Sequence, residues 1–287
     1  MLEQVMRVDA HHHMWDLAVR DQPWTADPGV ADVLHRTFTL EDLTPLSSAA
    51  GIDASVLVQT ITVPEETPEF LALAAESPLV QAVTGWADLT ASDVAETLEA
   101  LREGPNGRWL KGIRHQVQGE PDPNWLVRAD VLDGLKAVGE AGLVYELLTL
   151  AHQLPAAIQA AKELPGTDFV LDHCSKPPIT TGELEPWATQ LRELAALPNV
   201  TCKVSGLVTE ASKDWTVADL RPYVDTVLDA FGPDRVMFGS DWPVCLLHAS
   251  YAQVVEATEE LLDGLSESER DAVWGDTAAR VYGIRTA

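Results

Sequence analysis

Two short runs of ionisable residues frame the chemistry. Asp9-Ala10-His11-His12-His13 stands near the start of the chain, and Ser240-Asp241-Trp242 near its end. Neutral imidazole and carboxylate are ligands for a divalent cation, zinc first among them, at roughly 2.0–2.2 Å. The same groups exchange protons with water near neutral pH. Side chains alternate faces along an extended segment, so His11 and His13 point one way and His12 the other. Two imidazoles would then converge from one strand, with His173 and Asp241 able to complete the set. The bland alternatives are a polar cluster without metal and a fragment of a purification tag. The tag reading is weak, because only three histidines are present and they sit inside a strand pattern.

These groups need a scaffold that brings distant segments together. Short apolar or β-branched runs recur at Gln4–His13, Ser55–Gln59, Val80–Asp88, Trp109–Val117, Leu143–Leu148, Asp168–His173, Val200–Ser205 and Arg235–Asp241. They read as strands of a parallel sheet covered by helices. Helical patterns separate them: Thr39–Ala50, with Thr39 as N-cap and Asp42 three residues on, then Ser92–Arg102, Asp130–Ala141, Pro155–Glu163, Pro186–Ala196 and Val217–Phe231. Tyr251–Leu265 and Ser266–Val281 follow the last strand. Eight such units in 287 residues predict one domain over residues 1–287, a closed α/β (β/α)8 TIM barrel, which typically takes about 250 residues. No glycine-rich phosphate loop follows the first strand, which argues against a nucleotide-binding sheet.

A barrel of this kind places its active site at the C-terminal ends of the strands. His11 and His13 end the first strand, Arg114 and His115 the fourth, Glu146 the fifth, His173 the sixth with Lys176 just beyond, and Asp241 the eighth. Asp172, next to His173, is expected on the opposite face, towards the helix layer. The long connection from Asp16 to Ala54 reads as a loop over the barrel mouth. Its Trp24, and Trp242 beside Asp241, are the tryptophans best placed to line that mouth. Trp15 and Trp86 read equally well as core.

The net charge of −26 disfavours nucleic acid and anionic membrane as partners. No apolar run is long enough for a membrane span and no signal peptide is apparent. Cys174, Cys202 and Cys245 stand apart from one another, an arrangement that suits a reducing cytoplasm. Assembly into a homo-oligomer is left open.

Several blocks resemble those of the amidohydrolase superfamily, and more narrowly its sugar-lactonase branch. They are Asp9-Ala10-His11-His12-His13-Met14-Trp15, Gly112-Ile113-Arg114-His115, Val170-Leu171-Asp172-His173-Cys174-Ser175-Lys176-Pro177, Lys203-Val204-Ser205-Gly206-Leu207 and Met237-Phe238-Gly239-Ser240-Asp241-Trp242-Pro243. The resemblance runs from about Val8 to Tyr282. It implies hydrolysis of a small-molecule sugar lactone to the sugar acid. It also implies that His11, His13 and Asp241 hold a metal; Glu146, from this chain's own fifth strand, is the further candidate ligand. Asp241 is then the general base and His173 its catalytic partner, while Arg114, His115, Lys176, Trp24 and Trp242 bind substrate. Two departures from the wider superfamily stand out. The fifth strand offers Glu146 where a histidine is common, and the fourth offers no metal-bridging lysine. The resemblance therefore points to a single divalent ion, zinc first, with metal-free catalysis as the alternative. Rival readings are a metal-dependent decarboxylase of a small aromatic acid and a non-catalytic sugar-binding barrel.

Overall fold

The computed structural model describes residues 6–285; the expected start of the first strand at Gln4 lies outside them. Eight strands run parallel in chain order: β1 (Val8–His12), β2 (Ala54–Val58), β3 (Val80–Gly85), β4 (Leu110–His115), β5 (Val144–Leu147), β6 (Phe169–Leu171), β7 (Val200–Val204) and β8 (Val236–Phe238). The ring closes just beyond β8. Asp241 N–H donates to the His11 carbonyl at 2.8 Å, and His13 N–H to the Trp242 carbonyl at 2.6 Å. Asp9, buried on β1, ties the same seam by accepting from Ser240 N–H at 2.8 Å and from the Tyr251 hydroxyl at 3.0 Å. This is the expected TIM barrel.

A helix follows each strand. These helices bury apolar residues against the sheet and leave most of their charges exposed, Glu66 being a buried exception. The segment Leu40–Ala49 starts at the predicted cap, where Thr39 N–H donates to Asp42 Oδ2 at 2.9 Å. The helix Glu66–Glu76, absent from the sequence reading, buries Phe70, Leu71 and Ala74. The expected last helix is interrupted: Ala272–Asp276 is a π-helical turn between Glu267–Asp271 and Thr277–Tyr282. Beyond it, Tyr282 and Ile284 join Val8, Ala54, Val56 and Val144 in an apolar cluster separate from the main helix–sheet core. Val8, Ala54 and Val144 begin their strands, so the C-terminal segment packs against that end of the barrel, with the Tyr282 hydroxyl reaching inward to Glu146.

Most strands are shorter than expected, and two of them end where site residues follow. β6 stops at Leu171 and β8 at Phe238. Beyond them the backbone enters the left-handed region at His173, Cys174, Ser175, Lys176 and Asp241, none of them glycine. Such residues cost of order 1–3 kcal/mol each and persist where the surroundings over-determine them.

Candidate active site

At the top of the barrel three imidazoles surround one carboxylate. Asp241 Oδ1 lies 3.5 Å from His13 Nε2, 3.7 Å from His11 Nε2 and 3.8 Å from His173 Nε2. The Nε2 atoms of His11 and His13 are 3.2 Å apart. The register of β1 against β2 shifts between Asp9 and His12, and His11 and His13 converge all the same. Each ring is held from behind. His13 Nδ1 is 2.8 Å from the Val58 carbonyl, which can only accept, so Nδ1 carries the proton and Nε2 presents its lone pair to the site. His173 Nδ1 meets Ser205 Oγ at 2.8 Å. Gly206, at φ +64°, sits so close that a Cβ there would fall 2.6 Å from His173 Nδ1. Burial lowers the His173 pKa to about 4 and that of His11 well below its usual value. Burial opposes ionisation of Asp241, but His173 and His13 outweigh it and hold the carboxyl below its ordinary value.

A second polar layer lies beneath. Lys203, on β7 and fully buried, places Nζ 2.7 Å from Glu146 Oε2, 3.1 Å from Asp172 Oδ1 and 3.2 Å from His11 Nδ1. Arg114 reaches Asp172 Oδ2 at 3.1 Å and Gln59 Oε1 at 3.0 Å. Its Nη1 is 3.3 Å from His11 Nε2. Glu146 also accepts from Thr84 Oγ1 and from the Tyr282 hydroxyl, each at 2.6 Å. Burial pushes Glu146 up. Burial acts the same way on Asp172, but Lys203, His11 and Arg114 outweigh it and hold that carboxyl well below its usual value. Two buried cations thus face two carboxylates, the pairing that makes buried charge tolerable.

This layer corrects two expectations. Asp172 does not face the helices: β6 ends one residue before it, the alternation rule lapses, and its carboxylate turns inward to Lys203, Arg114 and His11. Glu146 does not join His11, His13 and Asp241 in one donor set. It belongs to a lower cluster with His11 and Asp172, and Lys203 Nζ already supplies that cluster's cation.

A cavity of about 330 Å³ opens over Asp241, within the range of small-molecule sites. His13, His173, Arg114, Lys176, Gln118 and Trp24 line it, with Val30 and Leu34 from the long first connection. Lys176 Nζ is 3.4 Å from Glu210. Gln118 Oε1 is buried without a hydrogen-bond partner among the described residues. Two predicted binding residues lie elsewhere. Trp242 is buried edge-on to Phe38, with ring centres 5.5 Å apart: a neighbour of Asp241 in sequence, it turns into the core. His115 stacks on Trp125 at 4.4 Å and meets Glu120 at 2.7 Å and Trp86 Nε1 at 3.1 Å, off the cavity.

The donor set at Asp241 suits a metal ion. For ligands at about 2.0–2.1 Å in a tetrahedron, neighbouring donors stand about 3.3 Å apart; the His11–His13 separation and those from Asp241 to each imidazole are 3.2–3.8 Å, and donor atoms of His11, His173 and Asp241 all lie within 4.8 Å of one another. The backing of His13 by a carbonyl and of His173 by a hydroxyl is the outer-shell support that metal-binding histidines use.

Fold and site define a barrel hydrolase-like centre in which histidines and one aspartate converge at the strand ends. The chain belongs to the amidohydrolase family, whose model matches residues 8–284. It is 42% identical to the L-fucono-1,5-lactonase of Burkholderia multivorans, over 97% of this chain and 96% of that one. An L-fucono-1,5-lactonase of Burkholderia ambifaria is 36% identical over the same shares. A crystal structure of an amidohydrolase from Burkholderia multivorans with zinc bound shares 40% identity and superposes with a TM-score of 0.90, covering 98% of this chain and 100% of that one. No helix among the described residues is long and apolar enough to cross a membrane.

Proposed function

We propose that this protein hydrolyses a sugar lactone to its open-chain aldonic acid, with Asp241 as the general base. The observation that carries the reading is the Asp241 carboxylate, ringed by three imidazoles at the floor of a cavity of sugar size. The names of the relatives support the substrate class, and make L-fucono-1,5-lactone the first compound to test.

The steps follow from the residues. Asp241, ionised under working conditions, takes a proton from a water molecule as its oxygen attacks the lactone carbonyl carbon. His13, His11 and His173 surround the carboxylate, and burial favours the uncharged forms of His11 and His173. Arg114 and Lys176 place positive charge beside the developing oxyanion. When the ring C–O bond breaks, the electron pair leaves with the ring oxygen, which recovers the proton from the Asp241 carboxyl. The product is the hydroxy acid. Trp24 offers a flat face to the sugar and Gln118 Oε1 an acceptor for one of its hydroxyls. We infer that His11, His13, His173 and Asp241 hold one divalent ion, zinc by the donor set. Such an ion would supply Lewis acidity towards the carbonyl oxygen.

The test is a pH-indicator assay over a panel of aldonolactones, run on the protein as purified and after chelation, with metal content measured on both. Acid release from at least one sugar lactone is expected. If every lactone is inert while metal is bound, the reading fails and aromatic carboxylates become the next panel. Acid release that survives complete metal removal keeps the lactonase and overturns the metal assignment.

A further inference from the structure

The wall of the cavity is anchored by a carboxylate outside it. Glu66, the first residue of the helix Glu66–Glu76, is buried, and its side chain turns back to the segment that follows β2. It accepts from Thr60 N–H at 2.7 Å, from Ile61 N–H at 3.3 Å and from the Thr60 hydroxyl. Thr60 passes the contact on in two directions. Its Oγ1 accepts from Gln22 Nε2 at 2.8 Å, and its carbonyl accepts from Gln116 Nε2 at 2.6 Å. Gln22 Oε1 in turn accepts from the Trp24 indole N–H at 3.0 Å. Gln22 and Thr60 are both buried, whereas Trp24, Gln116 and Thr60 all line the cavity over Asp241.

The direction of every bond in this chain is dictated from its ends. An indole N–H only donates, so Gln22 must present Oε1 to it and Nε2 to Thr60. Thr60 Oγ1 then accepts from Gln22 and spends its own proton on Glu66. A carboxylate can take that proton and two backbone N–H groups together, because both its oxygens accept. The isosteric amide cannot: whichever way it is turned, its N–H₂ faces a donor or displaces the Thr60 proton. We propose that Glu66 is a positioning residue for substrate binding, which orients the Trp24 ring over the cavity through Thr60 and Gln22. This inference rests on Trp24 forming a wall of the lactone site. Glu66 makes its hydrogen bonds to Thr60 and Ile61 and none to Asp241 or its histidines, so it acts chiefly on how the substrate is held, with His13 feeling its charge only from a distance.

Glu66→Gln is therefore expected to raise KM for the lactone about tenfold, the cost of one misplaced buried hydrogen bond, while kcat changes by less than about threefold. In a Trp24→Phe background, where the indole N–H is gone, the same substitution should change KM by less than about threefold. An equal KM effect in both backgrounds, or a fall confined to kcat, overturns the proposal. If Glu66→Gln does not fold, Gln22→Met breaks the chain two bonds further on and must give the same KM shift and the same dependence on Trp24. A second measurement needs no turnover. With 15N-labelled tryptophan, the Trp24 indole signal is assigned by its loss in Trp24→Phe, and its hydrogen exchange should quicken at least about tenfold in Glu66→Gln. Unchanged exchange refutes the relay. A wild-type protein inert on all lactones, with quickened exchange in the variant, refutes the lactonase and leaves the relay standing.

Discussion

Lys203→Met gives the sharpest test of the charged layer. Methionine is close to lysine in length and carries no charge, so packing is largely kept while the ammonium is lost. The Lys203 Nζ pairs with Glu146 at 2.7 Å and is shared with Asp172 at 3.1 Å and His11 Nδ1 at 3.2 Å. Removing it leaves Arg114 alone against two fully buried carboxylates. Stranding one partner of a buried ion pair costs about 3–5 kcal/mol. Glu146 limits the loss: burial already pushes its pKa up, so it takes a proton and keeps its bonds to Thr84 and Tyr282, which favours the lower end of that range. At about 2–4 °C per kcal/mol for a chain of this size, the melting temperature should fall by roughly 6–20 °C. The measurement is calorimetry on protein freed of metal, so that ligand binding does not contribute to the difference. Glu146→Gln then completes the argument. Alone it breaks the ion pair and destabilises, whereas in the Lys203→Met background it should be neutral or stabilising, a coupling of at least about 2 kcal/mol. A fall of less than about 2 °C, or two effects that simply add, would refute the claim that Lys203 neutralises Glu146.

Other expectations concern the site itself. Asp241→Asn should lower kcat by about 10²–10⁴-fold with the fold intact by circular dichroism; retention of more than a tenth of the activity would remove Asp241 from the role of base. Gly206→Ala should cost both stability and activity, because the added Cβ falls 2.6 Å from His173 Nδ1 at a backbone φ of +64°; a loss of about 1–3 kcal/mol in urea unfolding is the expected scale. Purified protein should contain close to one divalent ion per chain, and chelation should lower its melting temperature, with recovery on adding zinc. Replacing His13 with Ala should abolish that recovery.

The barrel was legible because its signals are periodic and local. Apolar runs of strand length alternate with amphipathic helical stretches, and the pairing of His11 with His13 follows from a repeat of two. Legibility ended where the strands ended. Adjacent residues on a strand face opposite ways, which predicts opposite faces for Asp172 and His173, yet β6 stops at Leu171 and a run of left-handed residues follows, with both side chains inward. No residue type announces that turn, since the positions that adopt it are His173, Cys174, Ser175 and Lys176 and not glycine. Trp242 shows the converse error: nearness to Asp241 along the chain says nothing of direction once the backbone departs from the sheet. Lys203 left a trace that could have been followed. A lysine within Val200–Val204, a strand buried along its length, requires a buried anion, and Glu146 on a strand of the same kind requires a cation. Matching those two demands pairs them from sequence alone and takes Glu146 out of the metal set. The layer below a catalytic centre is thus partly readable by charge balance, while the rotation of each group at the rim depends on backbone geometry that only the folded ring imposes.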